Sequence, residues 1–169
     1  MVENAETAIP AVILAGGRSR RMGGGDKCLL PLVGRPVLAH VIDRIRPQAE
    51  TLALNANGDA TRFAGFGLPV IADDESDFAG PLAGILAALD WASRMRPSAA
   101  AVLTVPGDTP FLPRDLLARL AALRLPAIAQ SAGRVHPVVG LWPLSLRDAL
   151  RVAVRTEGLR KVGDRKSVV

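Results

Sequence analysis

Short apolar runs alternate along the chain with longer segments in which apolar side chains recur every three or four positions. The first run, residues 11–15, is uninterrupted and is followed by glycine, which predicts a strand buried on both faces of a parallel sheet. Further strands are predicted at residues 51–54, 68–72, 99–105, 126–129 and 138–142. The last of these is expected to run antiparallel to its neighbours.

The segments with helical spacing lie between these strands. One helix is predicted from Val37 until Pro47 ends it, one begins at Pro81, which suits a first helical turn, and one follows Pro113. Their apolar stripes are Val37, Leu38, Val41, Ile42 and Ile45; Leu82, Ile85, Leu86 and Leu89; and Leu116, Leu117, Leu120 and Leu123. The alternation of strands and helices predicts an α/β fold with a mostly parallel sheet.

Polar residues and glycines follow four of the predicted strands, at Gly16-Gly17, Asn55, Asp73 and Asp108. In open α/β sheets, ligands bind beyond the carboxyl ends of the strands. We therefore expect these residues to meet at one edge of the sheet and to surround a nucleotide and its metal ion.

Composition narrows the class of protein. With 169 residues, 49% hydrophobic and 22% charged, the chain has the size and composition of one soluble domain with its own core. A single cysteine, Cys28, excludes an internal disulfide and a cysteine-rich zinc site, and two histidines, His40 and His136, argue against a histidine metal cage. The first residues lack a positively charged start and a long apolar core, and no stretch is long enough to cross a bilayer, so a cytoplasmic protein without a membrane association is expected.

The net charge of +5 is concentrated in two segments, residues 18–27 (net +3) and residues 147–166 (net +4). Two local basic sites suit a small polyanion better than a long duplex, and the chain has no tyrosine for base stacking. Nucleic acid is therefore not an expected partner.

The glycine-rich segment from Leu14 to Lys27 carries the strongest chemical indication. Glycine lets backbone N–H groups converge on phosphate oxygens, and Arg and Lys add charge-assisted hydrogen bonds. The spacing fits neither a Walker loop nor the dinucleotide-binding fingerprint. A flexible surface turn is the competing interpretation, and the five glycines and four basic residues directly after a buried strand argue against it.

The other polar residues are less specific. Asp108 lies between two prolines and suits Mg²⁺ coordination or a loop turn. Asp73, Asn55 and Asn57 are equally compatible with nucleotide contacts and with caps and turns. Four other side chains are predicted to be structural. We expect His136 to have a structural role, Trp91 and Trp142 to lie in the core, and Cys28 to be a small buried residue rather than a nucleophile.

Several motifs occur together in a characteristic order. They are Leu14-Ala15-Gly16-Gly17, Arg21-Met22-Gly23-Gly24, Asp26-Lys27, Gly34-Arg35-Pro36-Val37, His40-Val41, Pro47-Gln48, Asn55-Ala56-Asn57, Phe78, Gly80-Pro81-Leu82-Ala83-Gly84, Pro106, Asp108-Thr109-Pro110 and His136-Pro137. In this combination, over residues 11–142, the chain resembles the molybdenum cofactor guanylyltransferase (MobA) family.

The resemblance implies a Rossmann-like three-layer sandwich of the nucleotidyltransferase type, formed by residues 1–169 as one domain. It implies transfer of GMP from GTP to the terminal phosphate of molybdopterin carrying molybdenum (Mo-molybdopterin), with release of pyrophosphate. Insertion proteins for the molybdenum cofactor are implied as further partners. Lys27 and Asp108 would be catalytic, Asp108 would hold Mg²⁺, and Gly80, Pro81 and Gly84 would shape a loop on the pterin side. The implied nucleotide contacts are Leu14, Ala15, Gly16, Gly17, Arg21, Lys27, Asn55, Asp73 and Asp108.

The chain departs from the family pattern at two places. Gly107 stands where the family usually has cysteine, and the family's last strand and helix are expected to be missing after residue 166. Two alternatives stay open: a molybdopterin cytidylyltransferase, although Gly16 and Asn55-Ala56-Asn57 favour guanine, and a non-catalytic nucleotide-binding module.

Overall fold

The computed structural model describes residues 9–16, 26–73 and 80–156. Within these residues the main sheet has six strands, and Pro31–Leu32 (β2) pairs with Arg35–Pro36 (β3) in a separate small ribbon. The strands of the main sheet are Ala11–Leu14 (β1), Leu52–Asn55 (β4), Val70–Ile71 (β5), Ala101–Pro106 (β6), Ala127–Ser131 (β7) and Arg134–Pro143 (β8).

The sheet order is β5-β4-β1-β6-β8-β7. The first four strands are parallel, whereas β8 runs antiparallel to both β6 and β7. The sheet of the described residues is thus mostly parallel, and its one antiparallel strand, β8, lies between β6 and β7, which confirms the prediction. The strand at residues 134–143 is longer than predicted, and β5 is shorter.

Helices cover both faces of the sheet. Val37–Ile45 (α1) and Leu116–Ala121 (α3) pack with the face that includes Ile13 of β1. Pro81–Met95 (α2) and Arg147–Thr156 (α4) pack with the opposite face, which includes Val12. The central strands are therefore buried on both sides, which explains their unbroken apolar sequences, and the three-layer sandwich is confirmed.

Local sequence determines where the helices begin and end. Helix α1 ends at Ile45, just before Pro47, and α2 begins at Pro81. Helix α3 begins where the Leu117 N–H donates to the Gln48 side-chain oxygen, an N-terminal group that would otherwise lack a partner. The prediction that Leu123 belongs to the buried stripe of this helix is wrong, since α3 ends at Ala121 and Leu123 is 57% exposed.

The sequence did not predict helix α4. In the structure, two of its arginines have a structural role instead of the anion-binding role that was expected. Asp90 of α2 is buried, and its carboxylate accepts a hydrogen bond from Arg151 and lies 4.0 Å from Arg147. These two arginines belong to the segment that sequence analysis assigned to a polyanion. They instead help to fix α4 against α2, so the basic segment is a weaker anion site than its net charge suggests.

Two further expectations remain, one about the end of the chain and one about membrane spans. The predicted loss of the family's last strand and helix lies outside the described residues. Among the helices that the structure describes, none is long and apolar enough to cross a membrane.

Candidate nucleotide site

The sheet register brings the predicted strand ends together. Leu14 of β1 lies opposite Asn55 of β4 on one side and Pro106 of β6 on the other, and Asn55 lies opposite Ile71 of β5. The residues that follow these positions, including Asp73 and Asp108, therefore leave the sheet at the same edge. This is the arrangement that the sequence predicts.

A hydrogen-bonded network joins two of these strand ends. The Asn55 side-chain amide donates to Asp73 Oδ1 at 2.8 Å, and the Asn57 amide donates to Asp73 Oδ2 at 2.8 Å. The Asp73 N–H donates back to Asn57 Oδ1 at 2.8 Å. Both carboxylate oxygens are thus held from within the protein, and each keeps capacity to accept another hydrogen bond. The sequence left two interpretations of these residues open, nucleotide contacts or caps and turns. A local turn explains only part of this network.

Helix α2 fixes the position of Asn55. Asn55 is 4% exposed, and a Cβ placed on Gly84 would lie 2.8 Å from the Asn55 Oδ1 and 3.3 Å from the Leu14 side chain. Only glycine therefore lets the helix approach the amide this closely. Gly84 was predicted to shape a loop on the pterin side, but the structure places it inside α2, behind the Asn55–Asp73 pair.

The first residues of the predicted phosphate loop are used by the protein itself. The N–H groups of Ala15 and Gly16 both donate to the Asn55 carbonyl, at 2.9 and 3.0 Å, and the Leu14 carbonyl accepts from Gly107 N–H. A phosphate nest built on these amides would have to share them with that carbonyl. Gly17 and Arg21, with Gly23 and Gly24, lie outside the described residues, so their nucleotide contacts stay predictions.

Gly16 itself is not required by the packing of the described residues. A Cβ at this position would lie 3.4 Å from the Ala56 Cα, an ordinary contact. Packing among the described residues therefore does not explain a glycine at this position.

The segment that carries Lys27 is anchored on both sides of that residue. Lys27 is exposed and begins a single 3₁₀ turn, Lys27–Leu29. Cys28 is buried beneath it, and its thiol donates to the Ala15 carbonyl at an S···O distance of 3.6 Å. Asp26, on the other side, accepts a hydrogen bond from Arg62 Nε at 2.5 Å. The Lys27 ammonium is thus presented to solvent from a fixed backbone.

Cys28 is a packing residue, as predicted. Burial, together with the nearby Asp26 carboxylate, raises the pKa of its thiol from 9.0 to about 11. A thiol with this pKa is almost entirely protonated near neutral pH and is therefore a poor nucleophile.

Asp108 leaves β6 through a tightly packed glycine. The Gly107 N–H donates to the Leu14 carbonyl at 2.9 Å, and a Cβ on Gly107 would lie 3.2 Å from the Ala15 Cα and 3.3 Å from the Cys28 Cβ. This contact ties the Asp108 loop to the end of β1, next to the Lys27 segment. Asp108 is exposed, and no described residue donates a hydrogen bond to its carboxylate.

The carboxylates of the candidate site suit a metal ion held partly by substrate better than one held wholly by protein side chains. Among the described residues there is no group of three or more His, Cys, Asp or Glu side chains that could hold a metal ion. A cage made wholly by these residues is therefore not present. Asp108, an exposed carboxylate at a strand end, instead fits an ion such as Mg²⁺ that takes one protein carboxylate and completes its shell with water and substrate phosphates.

His136 lies apart from this network. Its Nε2 is hydrogen-bonded to Ser131 Oγ at 2.6 Å across the β7–β8 hairpin, in agreement with the structural role predicted for it. A cavity of about 650 Å³ lies between α3 and this hairpin, and Thr109, Arg119 and His136 contribute to its walls. Through Thr109 it adjoins the loop that carries Asp108.

Sequence reasoning missed Arg62. It lies in the 3₁₀ helix Ala60–Phe66 and contacts both Asp26 and the backbone of Asn57. No motif marks this position, and its partner Asp26 is 36 residues away in the chain. Only a repeated pairing of charges across related sequences could have indicated it.

The doubly covered parallel sheet, with amide, carboxylate and lysine groups at its carboxyl edge, defines a nucleotide-binding α/β protein of the nucleotidyltransferase type. The chain belongs to the MobA-like NTP transferase domain family, whose family model matches residues 11–168. The resemblance found in the sequence is thereby confirmed.

Curated relatives agree with this assignment. A molybdenum cofactor guanylyltransferase of Bradyrhizobium sp. (strain ORS 278) is 54% identical over 167 residues, which cover 96% of this chain and 79% of the relative. Another of that name, from Rhodopseudomonas palustris (strain BisB5), is 58% identical over 160 residues, 92% of this chain and 76% of the relative.

Solved structures agree on the fold. Molybdopterin-guanine dinucleotide biosynthesis protein A from Archaeoglobus fulgidus matches with a TM-score of 0.68 at 22% identity, over 91% of this chain and 76% of that one. Rv0371c from Mycobacterium tuberculosis H37Rv also gives a TM-score of 0.68, at 26% identity, over 86% of this chain and 76% of that one.

Nucleotidyltransferases as a class typically use a divalent metal ion.

Proposed function

We propose that this protein transfers GMP from GTP to the terminal phosphate of Mo-molybdopterin, which yields the guanine dinucleotide form of the cofactor and pyrophosphate. Relatives at 54% and 58% identity carry the name of that activity. The structural observation that supports it most directly is the Asp73 carboxylate, held at both oxygens by Asn55 and Asn57.

A carboxylate held in this way suits guanine. Guanine presents two adjacent N–H donors, its ring N1–H and its exocyclic amine, to a single carboxylate, whereas the corresponding edges of cytosine and adenine each offer only an exocyclic amine donor. The Asn55 and Asn57 amides fix the orientation of the acceptor before the nucleotide arrives. We therefore assign guanine reading to Asp73, with Asn55 in support, and this favours the guanylyltransferase over the cytidylyltransferase alternative.

The triphosphate is assigned to the Lys27 side of the site. The Lys27 ammonium, with Gly17 and Arg21 of the same loop, would offset the negative charge of the triphosphate and of the leaving pyrophosphate. The backbone of Leu14, Ala15 and Gly16 forms the floor between the base and the phosphates. Asp108 would hold Mg²⁺, which would bind phosphate oxygens and stabilise the charge that develops during transfer.

The reaction needs little covalent participation by the protein. An oxygen of the acceptor phosphate forms a bond to the α-phosphorus of GTP, while the bond between the α-phosphorus and the bridging oxygen of the β-phosphate breaks. The electron pair leaves with pyrophosphate, and the two joined phosphates form the diphosphate of the product. This chain's residues act by holding both reactants in line and by placing positive charge near the leaving group.

The deciding experiment is a product assay. The protein is incubated with Mo-molybdopterin, Mg²⁺ and GTP, CTP or ATP, and pyrophosphate and dinucleotide are measured. We expect turnover with GTP, and we expect Asp108→Asn to abolish it with the fold retained. Preference for CTP would establish the cytidylyltransferase instead, and GTP binding without any product would establish the non-catalytic module.

Several narrower assignments accompany this proposal. We propose that residues 1–169 form one nucleotidyltransferase domain, that Mg²⁺ is the metal ion, and that the product passes to proteins that insert the cofactor. The cytoplasmic location stays a prediction, which cell fractionation can test.

A further inference from the structure

Arg62 connects the two sides of the nucleotide site. Its Nε donates to Asp26 Oδ2 at 2.5 Å, one of its terminal nitrogens donates to the Asn57 carbonyl at 2.8 Å, and the other donates to the Asp59 carbonyl. Asp26 directly precedes Lys27, and Asn57 holds Asp73. A single guanidinium therefore touches the segment assigned to the triphosphate and the loop assigned to the base.

The surroundings of Arg62 hold its guanidinium in place. The Asp26 side chain is only 12% exposed and that of Arg62 is 27% exposed. The guanidinium carbon lies 4.6 Å from the centre of the Phe63 ring, a cation–π distance. The helix that carries Arg62 is capped by Asp59, which accepts from the Thr61 N–H at 2.9 Å and from the Thr61 hydroxyl at 2.7 Å. These contacts distinguish Arg62 from a solvated surface arginine.

The geometry requires arginine rather than any cation. A planar guanidinium directs donors at fixed angles, so that it can serve one carboxylate and two carbonyls at the same time. An ammonium group on a flexible stem carries the charge but not that fork of donors. The contacts of Arg62 thus determine the separation of the two loops as well as the local charge.

We propose that Arg62 is a positioning residue that couples the Asp26–Lys27 segment to the Asn57–Asp73 pair and so sets the span between the phosphate and base halves of the site. This inference rests on the proposed GTP site. It goes beyond that site by naming a residue to which no contact with the base or the phosphates is assigned. Fixing two half-sites at the correct separation benefits a ligand that spans both, because less ordering is left to be done on binding.

The test compares ligands that fill one half of the site with one that fills both. Binding of Mg-GTP is measured by calorimetry, and binding of guanosine and of inorganic tripolyphosphate by ligand-observed NMR. For Arg62→Gln we expect about a 10-fold loss of affinity for GTP and no matching loss for guanosine or for tripolyphosphate. A role in general stability alone would weaken all three ligands alike.

Two further variants make the test specific. Arg62→Lys should retain the fold and still show most of the loss, since it keeps the charge without the fork. Arg119→Gln is the matched control, because Arg119 pairs with Asp115 at 2.8 Å on an exposed face of α3, and it should bind GTP as the unmodified protein does. Asp26→Asn combined with Arg62→Gln should lose no more GTP affinity than the stronger single variant.

The outcomes separate this inference from the proposed function. If the unmodified protein binds no GTP, the proposed function fails. If it binds GTP but Arg62→Gln and Arg62→Lys bind it equally well, or lose affinity for all three ligands alike, the coupling role of Arg62 is wrong while the function stands. Losses that simply add in the double variant would also overturn it.

Discussion

At the residue scale, Asp73 combines a negative charge with a fixed orientation. Asn55 and Asn57 each donate one amide hydrogen bond, at 2.8 Å, to a different oxygen of Asp73, so the NH₂ group of an asparagine at this position would face one of these donors whichever way it is turned. Asp73→Asn therefore removes the charge and misplaces the amide as well. We expect GTP affinity to fall about 10- to 100-fold, since hydrogen bonds to a charged acceptor are worth about 1.5–3 kcal/mol.

Calorimetric titration with GTP and CTP checks this prediction. The loss should be larger for GTP than for CTP, because only guanine offers two donors to one carboxylate. Asp43→Asn is a suitable control, since Asp43 forms an exposed pair with Arg35 and lies on α1. Equal losses for both nucleotides would contradict the assignment of guanine reading to Asp73.

Cys28 gives a prediction about pH. Its pKa is raised from 9.0 to about 11 in the folded protein, so the folded state binds a proton more tightly than the unfolded state does. The stabilisation by the neutral thiol is complete below about pH 9 and is lost as the pH rises toward 11. The destabilisation caused by Cys28→Ala should therefore shrink by about 1 kcal/mol between pH 8 and pH 10.

Urea unfolding of both proteins at the two pH values measures this difference. Comparing the variant with the unmodified protein at each pH cancels the titration of lysines that the two share. A destabilisation that stays constant with pH would mean that the thiol is not buried in its neutral form.

At the scale of elements, helix α2 supports the hydrogen-bonded pair Asn55–Asp73, to which we assigned the reading of the base. A Cβ on Gly84 would lie 2.8 Å from Asn55 Oδ1, a distance that forces the amide or the helix to move. Alanine favours helix by about 1 kcal/mol over glycine, which partly offsets the cost to stability. We therefore expect Gly84→Ala to reduce GTP affinity by roughly 10- to 100-fold with a smaller effect on the melting temperature.

A second glycine provides the control. Gly65 lies in the 3₁₀ helix Ala60–Phe66, and a Cβ there would meet nothing within 4 Å. Gly65→Ala should leave both GTP affinity and melting temperature close to those of the unmodified protein. If Gly84→Ala binds GTP as well as Gly65→Ala does, helix α2 does not determine the position of Asn55.

The elements also show what the sequence can predict and what it cannot. Strands β1 and β6 and helices α1 and α2 were predictable from the sequence. The spacing of their apolar residues indicates which side chains are buried, and proline or glycine marks where these elements begin or end. Helix α4 was missed, since arginines interrupt its apolar positions and part of its support is Asp90, 61 residues away from Arg151 in the chain. In the candidate site, the strand ends indicated Asn55, Asp73 and Asp108. The roles proposed for Arg62 and Gly84 depend on contacts between segments that are distant in the chain, and no local sequence pattern records such contacts.

At the scale of the whole molecule, α2 links the nucleotide site to α4. Its first turns lie against Asn55 through Gly84, and its middle carries Asp90, which accepts a hydrogen bond from Arg151. The carboxylate of Asp90 is buried, and the half-buried Arg147 and Arg151 lie beside it on the face of the sheet opposite α1 and α3. We therefore expect stability and nucleotide binding to depend on different parts of this one helix and to be separable by mutation.

Replacing Arg151 tests that separation. Among the residues that the structure describes, Arg151→Met leaves the buried Asp90 carboxylate with Arg147 alone, at 4.0 Å, so the free energy of unfolding should fall by about 1–3 kcal/mol. Changing Asp90 to Leu in the same protein should recover most of that loss, because an apolar pair can replace a buried ion pair at little cost. Arg119→Met, which breaks an exposed pair with Asp115, should cost less than about 1 kcal/mol. Urea unfolding measures the stability of all three variants. Each variant should bind GTP as the unmodified protein does. A large loss of GTP affinity in Arg151→Met would show instead that the contact between α2 and α4 affects the nucleotide site.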